Sequence, residues 1–234
     1  MRTDGESENR DSHGTSDSQE GTCKNQLDLL IVRSIIQHMT RGRPKLIDRS
    51  TILDTAVDRF WTEGYAGTSV RAIAGACGAG LQSVYNEFGD KEGLFVAALD
   101  RYAERQIEER FAPLLLRSPR AIDGLRGLFE FWVEFHSAPD TRGCLLVLTQ
   151  MEFANDQNAA IAEAARRHAA ALEKAILGAV ERAQQEGDVP EEREARVIAR
   201  GLVTMANGIA VLGRAQAPRS FLEDAVKAAA RWLE

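Results

Sequence analysis

Short helical segments separated by glycine limit most strongly what residues 47–90 can fold into. Before Gly64, apolar residues recur every three or four positions, which predicts one helix with a broad apolar face. That face comprises two adjacent rows, namely Ile52, Ala56 and Phe60 beside Leu53, Val57 and Trp61. We therefore expect a first helix that ends at Gly64.

Two more short helices are predicted before residue 90. Thr68 is the predicted N-cap of the first of them, and Gly78 ends it. Its inward-facing residues are Val70, Ile73, Ala74 and Cys77. The next helix runs from about Gly80 to Phe88, and Val84 lies four positions before Phe88 on the same inward face. Three short helices with a tight glycine-containing turn between the last two have the layout of a helix-turn-helix.

The outward side of the third predicted helix is mostly polar. If Val84 and Phe88 anchor the helix, its other residues face solvent or a partner, and these are Leu81, Gln82, Ser83, Tyr85 and Asn86. An α-helix fits the major groove of DNA, where each base pair presents its own donors, acceptors or methyl group. Such a surface is also ordinary solvated helix, and helix-turn-helix geometry occurs in proteins that bind no DNA. Both interpretations stay open from these residues alone.

The remainder of the chain is predicted to be helical, which makes the fold class all-α. The predicted helical segments are 91–116, 119–137, 143–153, 158–186, 191–214 and 218–234. Pro190 and Pro218 stand at or before helix starts, where a missing N–H costs least. We expect a small N-terminal domain at residues 41–90, which includes a basic arm, and a larger helical domain at residues 91–234.

The net charge of −6 hides one local positive excess. Residues 41–49 hold one acid and four bases, which are Arg41, Arg43, Lys45 and Arg49. Because charge acts locally, this arm favours contact with a polyanion although the chain as a whole is acidic. A solvated linker is the alternative interpretation.

Residues 1–40 are predicted to be a disordered or leader extension. Residues 1–26 contain no leucine, isoleucine, valine or aromatic residue, so they cannot bury enough apolar area to offset their ordering entropy. An apolar run at residues 27–39 ends at Met39, which we expect to be a natural start. That run is too short for a membrane, and no export-signal pattern precedes it. We expect a cytoplasmic protein without a membrane span.

Nothing in the sequence indicates catalysis, a cofactor or a metal site. Cys23, Cys77 and Cys144 lie 54 and 67 positions apart, which gives neither metal-ligand spacing nor a secreted disulfide framework. No nucleophile motif or phosphate-binding loop accompanies the four histidines, which are His13, His38, His136 and His168. We expect a protein that is not an enzyme, with an enzyme and a helical adaptor as the competing classes.

The stretch GYAGTSVRAIAGACGAGLQSVYNEFGDKEGLF resembles the DNA-binding signature of TetR-type (TetR/AcrR) transcriptional regulators. The Gly-Tyr pair, the Thr-Ser-Val-Arg start of the second helix, the Tyr-x-x-Phe end of the third and the following Lys-Glu fall where that family has them. The resemblance covers residues 45–105. It departs at Gly80, where relatives often carry a serine-like cap.

The resemblance implies a repressor whose third helix reads an operator. Gln82 then pairs with adenine, Ser83 donates or accepts, and Leu81 contacts a thymine methyl group. Tyr85 and Lys91 are expected at phosphates, Arg71 at a guanine edge or phosphate, and the basic arm in the minor groove. The complete expected set is Arg41, Arg43, Thr68, Arg71, Leu81, Gln82, Ser83, Tyr85, Asn86 and Lys91.

The same resemblance implies that residues 91–234 bind an unknown small-molecule effector and form a homodimer on near-palindromic double-stranded DNA. The last two helices are the expected interface, with apolar residues that include Leu202, Val211, Phe221 and Trp232. The expected effector pocket contains Trp132, His136, Cys144, Met151 and Phe153. Ordinary core packing is the alternative for both groups.

Cys144, in RGCLLVLTQMEF, provides an alternative to reversible ligand binding. A branch of the family with Gly-Cys at the start of this helix senses electrophiles or oxidants. A helix N-terminus with Arg142 nearby favours the reactive thiolate. A buried and inert cysteine is the competing interpretation.

Overall fold

The computed structural model describes residues 47–153 and 158–234. The predicted leader at residues 1–40, Met39 within it, and the basic arm with Arg41 and Arg43 lie outside the described residues. Within the two described ranges all regular elements are helical and no strand is present. The predicted all-α fold class is confirmed.

Ten α-helices and one π-helical turn account for most of the described residues. In chain order they are α1 (Arg49–Gly67), α2 (Val70–Cys77), α3 (Leu81–Phe88), α4 (Lys91–Gln106), the π-turn (Ile107–Phe111), α5 (Ala112–Arg117), α6 (Ala121–His136), α7 (Leu145–Glu152), α8 (Ala159–Gln185), α9 (Ala195–Arg214) and α10 (Arg219–Ala230).

The predicted end of α1 at Gly64 is a kink within the helix, whereas the predicted end of α2 at Gly78 is confirmed. Gly64 has φ of +74°, the helix continues to Gly67, and two extended residues lead to α2. The Ser69 hydroxyl, not that of Thr68, caps α2 by accepting a hydrogen bond from the Ala72 N–H at 3.1 Å. The predicted cap is therefore displaced by one residue. Ser69 directly precedes Val70, whereas the Thr68 hydroxyl donates to the Gly64 carbonyl at the end of α1. Gly78 ends α2 in the left-handed conformation.

The junction between α3 and α4 is tight and requires glycine at one position. Asp90 caps α4, since its carboxylate accepts a hydrogen bond from the Gly93 N–H at 2.8 Å. A Cβ atom on Gly93 would collide with the carbonyl oxygen of Phe88. The first turn of α4 thus packs directly on the last turn of α3 and fixes the direction in which α3 projects.

The predicted long helix at residues 91–116 is interrupted by the π-turn. At its end the Ala112 N–H donates to the Ile107 carbonyl, five residues earlier. Pro113 follows, and it has no N–H and crowds the carbonyl four residues before it, so the regular α-helix cannot continue there. The prediction of one continuous helix used only the spacing of apolar residues, which does not distinguish a π-turn from an α-helix.

Two later helices begin after their predicted first residues. Gly143 has φ of +77°, so α7 begins only at Leu145. Residues 190–194 form a turn in which the Arg193 N–H donates to the Pro190 carbonyl at 3.2 Å, and α9 begins at Ala195. In both places a turn occupies residues that apolar periodicity assigned to the helix.

Two hydrophobic clusters organise the described residues. The head cluster joins α1–α4 with Leu145, Phe153 and the start of α8, and its most buried large residues are Phe60, Ile73, Leu94, Phe95, Leu99 and Ile161. The body cluster joins α5, α6, α8, α9 and α10 around Leu115, Leu125, Leu128, Ile176, Leu202 and Ile209. Helix α4 packs against both α1 and α8.

Within the described residues, α9 is the one helix with the length and mean hydropathy of a membrane span, by those two criteria alone. Its inner face packs against α6, α8 and α10, and it carries Arg196, Arg200 and Arg214. Part of its apolar surface is left uncovered by the rest of the chain.

Candidate nucleic-acid interface and internal cavity

The outward face of α3 is solvent-exposed and polar. Val84 is 1% exposed and anchors the helix in the head cluster, whereas Leu81 and Phe88 are half-buried at its two ends. The exposed residues are Gln82, Ser83, Tyr85, Asn86 and Glu87. The structure therefore brings together the α3 residues that the sequence nominated for base and phosphate contacts.

Polar side chains on this face are partly ordered by one another. The Gln82 amide nitrogen donates to the Asn86 side-chain oxygen at 2.9 Å, one helical turn away. The carboxylate of Glu87 accepts from the Arg49 guanidinium at 3.0 Å, which offsets the only acidic charge on α3. The face is thus left with amides, a hydroxyl and a phenol, all of which can donate and accept hydrogen bonds or donate to phosphate.

Three other predicted DNA-binding residues lie around α3. Arg71 is exposed at the start of α2. The Lys91 amine lies 4.4 Å from the centre of the Tyr65 ring, at the start of α4. Thr68 is only 2% exposed, and its hydroxyl donates to the Gly64 carbonyl at 2.8 Å. Thr68 therefore closes the end of α1 with its hydroxyl buried in this conformation, and its contact with DNA stays a prediction.

A second site is a cavity of about 60 Å³ between the two clusters. It is lined by side chains from α4, the π-turn and α6–α9, namely Tyr102, Gln106, Ile107, Phe111, Phe131, Trp132, Phe135, His136, Cys144, Leu146, Val147, Gln150, His168, Ala169, Leu172, Val203, Ala206, Asn207 and Ala210. Among the described residues, no group of three or more His, Cys, Asp or Glu side chains has the arrangement of a metal site.

The predicted effector-pocket residues divide between this cavity and other places. Trp132, His136 and Cys144 line it. Met151 is 63% exposed, and Phe153 is buried in the head cluster against the rings of Tyr65 and Phe95. Neither residue lines the cavity, since Met151 is in the last turn of α7 and Phe153 follows its end at Glu152.

His136 is an uncharged imidazole inside this cavity. The residue is 5% exposed, and burial lowers the pKa of its side chain from 6.5 to about 4. Its Nδ1 atom is enclosed and has no hydrogen-bond partner among the described residues. The backbone of His136 is held by close packing on Gly213 of α9, where a Cβ atom would lie 2.7 Å from that of His136.

Cys144 faces the cavity but lacks the features of an activated thiol. Burial raises the pKa of its thiol above the ordinary value, although hydrogen bonds from the Val147 backbone and the Tyr102 hydroxyl oppose the rise. Arg142, expected to favour the thiolate, donates instead to Asp58 at 2.6 Å, and its guanidinium lies 4.1 Å from the centre of the Trp61 ring. The expected thiolate is therefore disfavoured.

Most of the cavity residues were missed by sequence reasoning. Tyr102, Gln106, His168 and Asn207 come from three helices that are far apart in sequence, and each has an unremarkable local context. One available signal was the pair Phe131 and Phe135, four positions apart on α6 beside the predicted Trp132 and His136.

Comparison with known proteins assigns the chain to a family. The profile described as "Bacterial regulatory proteins, tetR family" matches residues 52–98, and that described as "Tetracyclin repressor-like, C-terminal domain" matches residues 121–229. The HTH-type transcriptional repressor ComR of Escherichia coli is 30% identical over 176 residues, which are 75% of this chain and 83% of that protein. This chain belongs to the TetR family.

Solved structures of TetR-family proteins share the fold of this TetR-family chain. A cysteine mutant of the TetR family transcriptional regulator CifR, complexed with 26 base pairs of operator DNA, matches with a TM-score of 0.72 and 29% identity. The match covers 82% of this chain and 100% of that one. The reduced form of Escherichia coli NemR has a TM-score of 0.72 at 19% identity, over 80% of this chain and 96% of NemR, and so supports the fold alone.

This TetR-family chain leaves apolar side chains uncovered on its last two helices. The exposed residues are Val197, Val211, Phe221 and Trp232, each at least 38% exposed. Leu202, which the sequence placed in the same group, is 1% exposed and belongs to the body cluster of its own chain. Within the predicted interface, the structure therefore separates core residues from residues that a second chain can contact.

Proposed function

We propose that this protein is a dimeric transcriptional repressor that binds a near-palindromic operator through α3 and is released by a small-molecule effector. Residues 41–90 bind DNA, and residues 91–234 bind the effector and form the dimer. The family membership and the DNA-bound CifR structure support operator binding. Because operator DNA lies there, we place the protein in the cytoplasm.

The outward face of α3 is the observation that carries this proposal. A single buried residue, Val84, holds an eight-residue helix whose remaining length offers amide and hydroxyl groups to a partner. A helix projecting such groups fits the major groove, where amides pair with adenine and hydroxyls bind several base edges. Tyr85, Lys91 and Arg71 surround this face at positions suited to phosphate oxygens.

A gel shift with DNA from upstream of the protein's own gene tests operator binding. We expect Gln82→Ala to weaken operator binding by about 10-fold or more, because one bidentate base contact contributes about 1–3 kcal/mol. We expect Tyr85→Ala to weaken binding to all sequences alike, since a phosphate contact carries no sequence information. Glu181→Ala, exposed on α8, is the control. Unchanged operator binding by both folded α3 variants would contradict the proposal.

The basic arm adds a separate test of the same proposal. Deleting residues 41–45 removes Arg41, Arg43 and Lys45, so fewer counterions are released on binding. We expect weaker operator binding and a smaller dependence of affinity on salt concentration. An unchanged salt dependence would show that the arm does not contact DNA.

The exposed apolar side chains of α9 and α10 support a homodimer. One helix-turn-helix makes few contacts, whereas a two-fold dimer places two recognition helices about 34 Å apart in successive major grooves. Sedimentation analysis tests this arrangement. We expect Phe221→Glu to yield monomers and Lys174→Glu, on the exposed side of α8, to leave dimers intact. A monomeric unaltered protein would contradict the homodimer.

Helix α4 provides a physical route between cavity and operator. Tyr102 and Gln106 of this helix line the cavity, while Phe95 and Leu99 of the same helix lie in the head cluster. An effector that binds more tightly when the recognition helices are splayed shifts the population away from the DNA-competent state. Release can be no larger than that difference in affinity.

Electrophile or redox sensing through Cys144 is the second candidate function. Its position on the cavity wall favours this function, whereas the raised pKa of the thiol opposes it. Mass spectrometry after treatment with a reactive aldehyde tests for modification, and gel shifts test for release. Sensing requires that Cys144→Ser abolish release while Cys77→Ser leaves it intact. Full release of the Cys144→Ser variant by the aldehyde would reject sensing through this residue.

A further inference from the structure

We propose that the internal cavity takes a small, uncharged, single-ring molecule with one hydroxyl-type group, hydrogen-bonded to the imidazole of His136. This inference rests on the proposed function, because it names the chemical class of the effector. Three properties of the cavity carry it, namely its aromatic wall, its lack of charged side chains and its unpartnered imidazole.

The wall is built from aromatic rings in edge-to-face contact. The Phe111 and Trp132 ring centres are 5.4 Å apart at an interplanar angle of 87°, and those of Phe111 and Phe131 are 6.0 Å apart at 65°. Phe135 stacks beside Phe131 at 5.9 Å. These rings present flat faces and edges, which pack best against another ring.

The wall carries no Asp, Glu, Lys or Arg among its described residues. Its second histidine, His168, lies 2.8 Å from the Asp100 carboxylate, so that ring nitrogen already has a partner. Arg110 is exposed and does not line the cavity. Its guanidinium lies 6.0 Å from the ring centre of Phe131 and 5.7 Å from that of Phe135. A charged ligand would have to lose its hydration with no opposite charge on the wall, which is costly.

His136 supplies the polar contact that orients the ligand. A neutral imidazole offers one donor and one acceptor nitrogen, and the side chain of His136 forms no hydrogen bond that the described residues account for. The Nδ1 atom is enclosed, so the ligand hydroxyl is placed at the other ring nitrogen, Nε2, for which no described residue provides a hydrogen bond. A hydroxyl group both donates and accepts, so it can satisfy either tautomer of the ring.

The cavity has room for a ligand. Its volume of about 60 Å³, counted for the centres of water molecules, is several times the roughly 10–15 Å³ that one water needs, so it admits a small molecule. Most of the lining is apolar, and the amides of Gln106, Gln150 and Asn207 are further polar groups on the wall. One ring with one polar substituent therefore matches the chemistry of the wall.

Calorimetric titration of the full-length protein with four probes of one carbon skeleton tests this inference. Benzyl alcohol is neutral and carries the hydroxyl group, benzoate is an anion, benzylamine is a cation at pH 7, and toluene has no polar group. We expect benzyl alcohol to bind at least about tenfold more tightly than benzoate or benzylamine. Equal or tighter binding of either charged probe, or no binding of benzyl alcohol, would overturn the proposal.

Two variants assign the hydrogen bond to His136. His136→Phe keeps a flat ring and removes both nitrogens, so we expect benzyl alcohol to bind about tenfold more weakly and toluene to bind unchanged. His136→Gln restores a donor and an acceptor and should recover part of the loss. An equal change for benzyl alcohol and toluene would remove His136 from the proposal. If the variants do not fold, the ranking of the four probes on the unaltered protein decides the outcome.

A gel shift without any probe separates this inference from the proposed function. Operator binding by the free protein, combined with a preference for a charged probe, would overturn the ligand class and leave the repressor intact. Failure to bind any genomic DNA would overturn the repressor, whatever the calorimetry shows.

Discussion

The outward face of α3 presents polar groups to solvent, whereas the internal cavity presents a few polar groups among aromatic rings, and the two are assembled in different ways. The α3 face comes from one helix of eight residues, anchored chiefly by Val84. The cavity wall comes from five helices and the π-turn, and its polar residue His136 lies deep in the protein. A surface for a long polymer can be local in sequence, whereas an enclosure for a small molecule needs elements that converge from several directions.

The largest expected effects come from the two glycines that hold these regions. A Cβ atom would collide with the Phe88 carbonyl oxygen at Gly93 and with the His136 carbonyl oxygen at Gly213. We expect Gly93→Ala and Gly213→Ala each to lower the free energy of unfolding by about 3 kcal/mol or more, because backbone cannot yield as side chains do. Urea denaturation at one protein concentration measures this.

Gly178 is the matched control for both glycines. It lies exposed on α8 with nothing within 4 Å of a Cβ atom, so Gly178→Ala should raise the free energy of unfolding by about 0.5–1 kcal/mol. An equal change in stability for all three variants would contradict the inference that close backbone packing requires glycine at positions 93 and 213.

The pH dependence of stability tests whether His136, in the cavity wall, is buried as a neutral imidazole. The pKa of His136 is about 4 in the folded chain and 6.5 as its ordinary value, so between these pH values the unfolded chain binds more protons. Its contribution to stability is therefore full above pH 6.5 and falls by about 3 kcal/mol as pH drops to 4.

Denaturation of the unaltered protein and of His136→Phe across that pH range measures the effect. The difference in free energy of unfolding between the two proteins should change by about 3 kcal/mol, because Phe cannot be protonated. Tyr102 and Cys144, also on the wall, stay protonated in this range since burial raises both pKa values. Parallel stability curves would contradict a buried neutral imidazole.

A smaller effect is expected at the helix that supports α3. Ser69 caps α2, and we expect Ser69→Ala to lower the free energy of unfolding by about 1 kcal/mol. Ser69→Gly should cost only a few tenths of a kcal/mol, because glycine is accepted at this position. Thermal denaturation distinguishes the two. Equal losses would mean that the hydroxyl does not act as the cap.

The smallest effect is expected at the contact between α1 and the loop that leads to Cys144. Arg142→Ala removes both the contact with Asp58 and the one with the Trp61 ring, and should cost about 1 kcal/mol. Asp58→Ala removes only the ion pair, whose carboxylate is exposed, and should cost about 0.5 kcal/mol or less. Denaturation in urea compares them. An equal loss in the two variants would assign the whole contact to the ion pair.

The elements of this fold were largely predictable, whereas the cavity was only partly so. The glycine-bounded helices α1–α3 follow from local rules, because residues three and four apart share a helical face and glycine ends it. Those rules placed Val84 inward and Gln82 outward. They also placed Thr68 at the cap, one residue before Ser69, since both side chains can accept such a hydrogen bond. Only the structure shows that the Thr68 hydroxyl bonds to the Gly64 carbonyl while Ser69 caps α2.

The structure brings Trp132, His136 and Cys144 together on the cavity wall and places Met151 and Phe153 elsewhere, while their role in effector binding stays a prediction. These five residues lie on α6 or on α7 and next to its ends. Apolar spacing does not predict which of their side chains the other helices enclose. The domain boundary after residue 90 and the roles of Arg41 and Arg43 stay predictions. Helix α4 supplies buried residues to the head cluster and also packs along α8, so packing alone does not divide the chain after residue 90.

By itself, the sequence determined an all-helical chain with a polar-faced third helix, because helical periodicity and glycine termination act over a few residues. Only the tertiary structure decided that Tyr102, His136 and Asn207 line one cavity and that Phe221 and Trp232 stay uncovered. Enclosure depends on which helices meet, and that is set by packing between residues far apart in the chain. The buried neutral state of His136 follows from the same cause, since an imidazole loses its charge only when its neighbours exclude water.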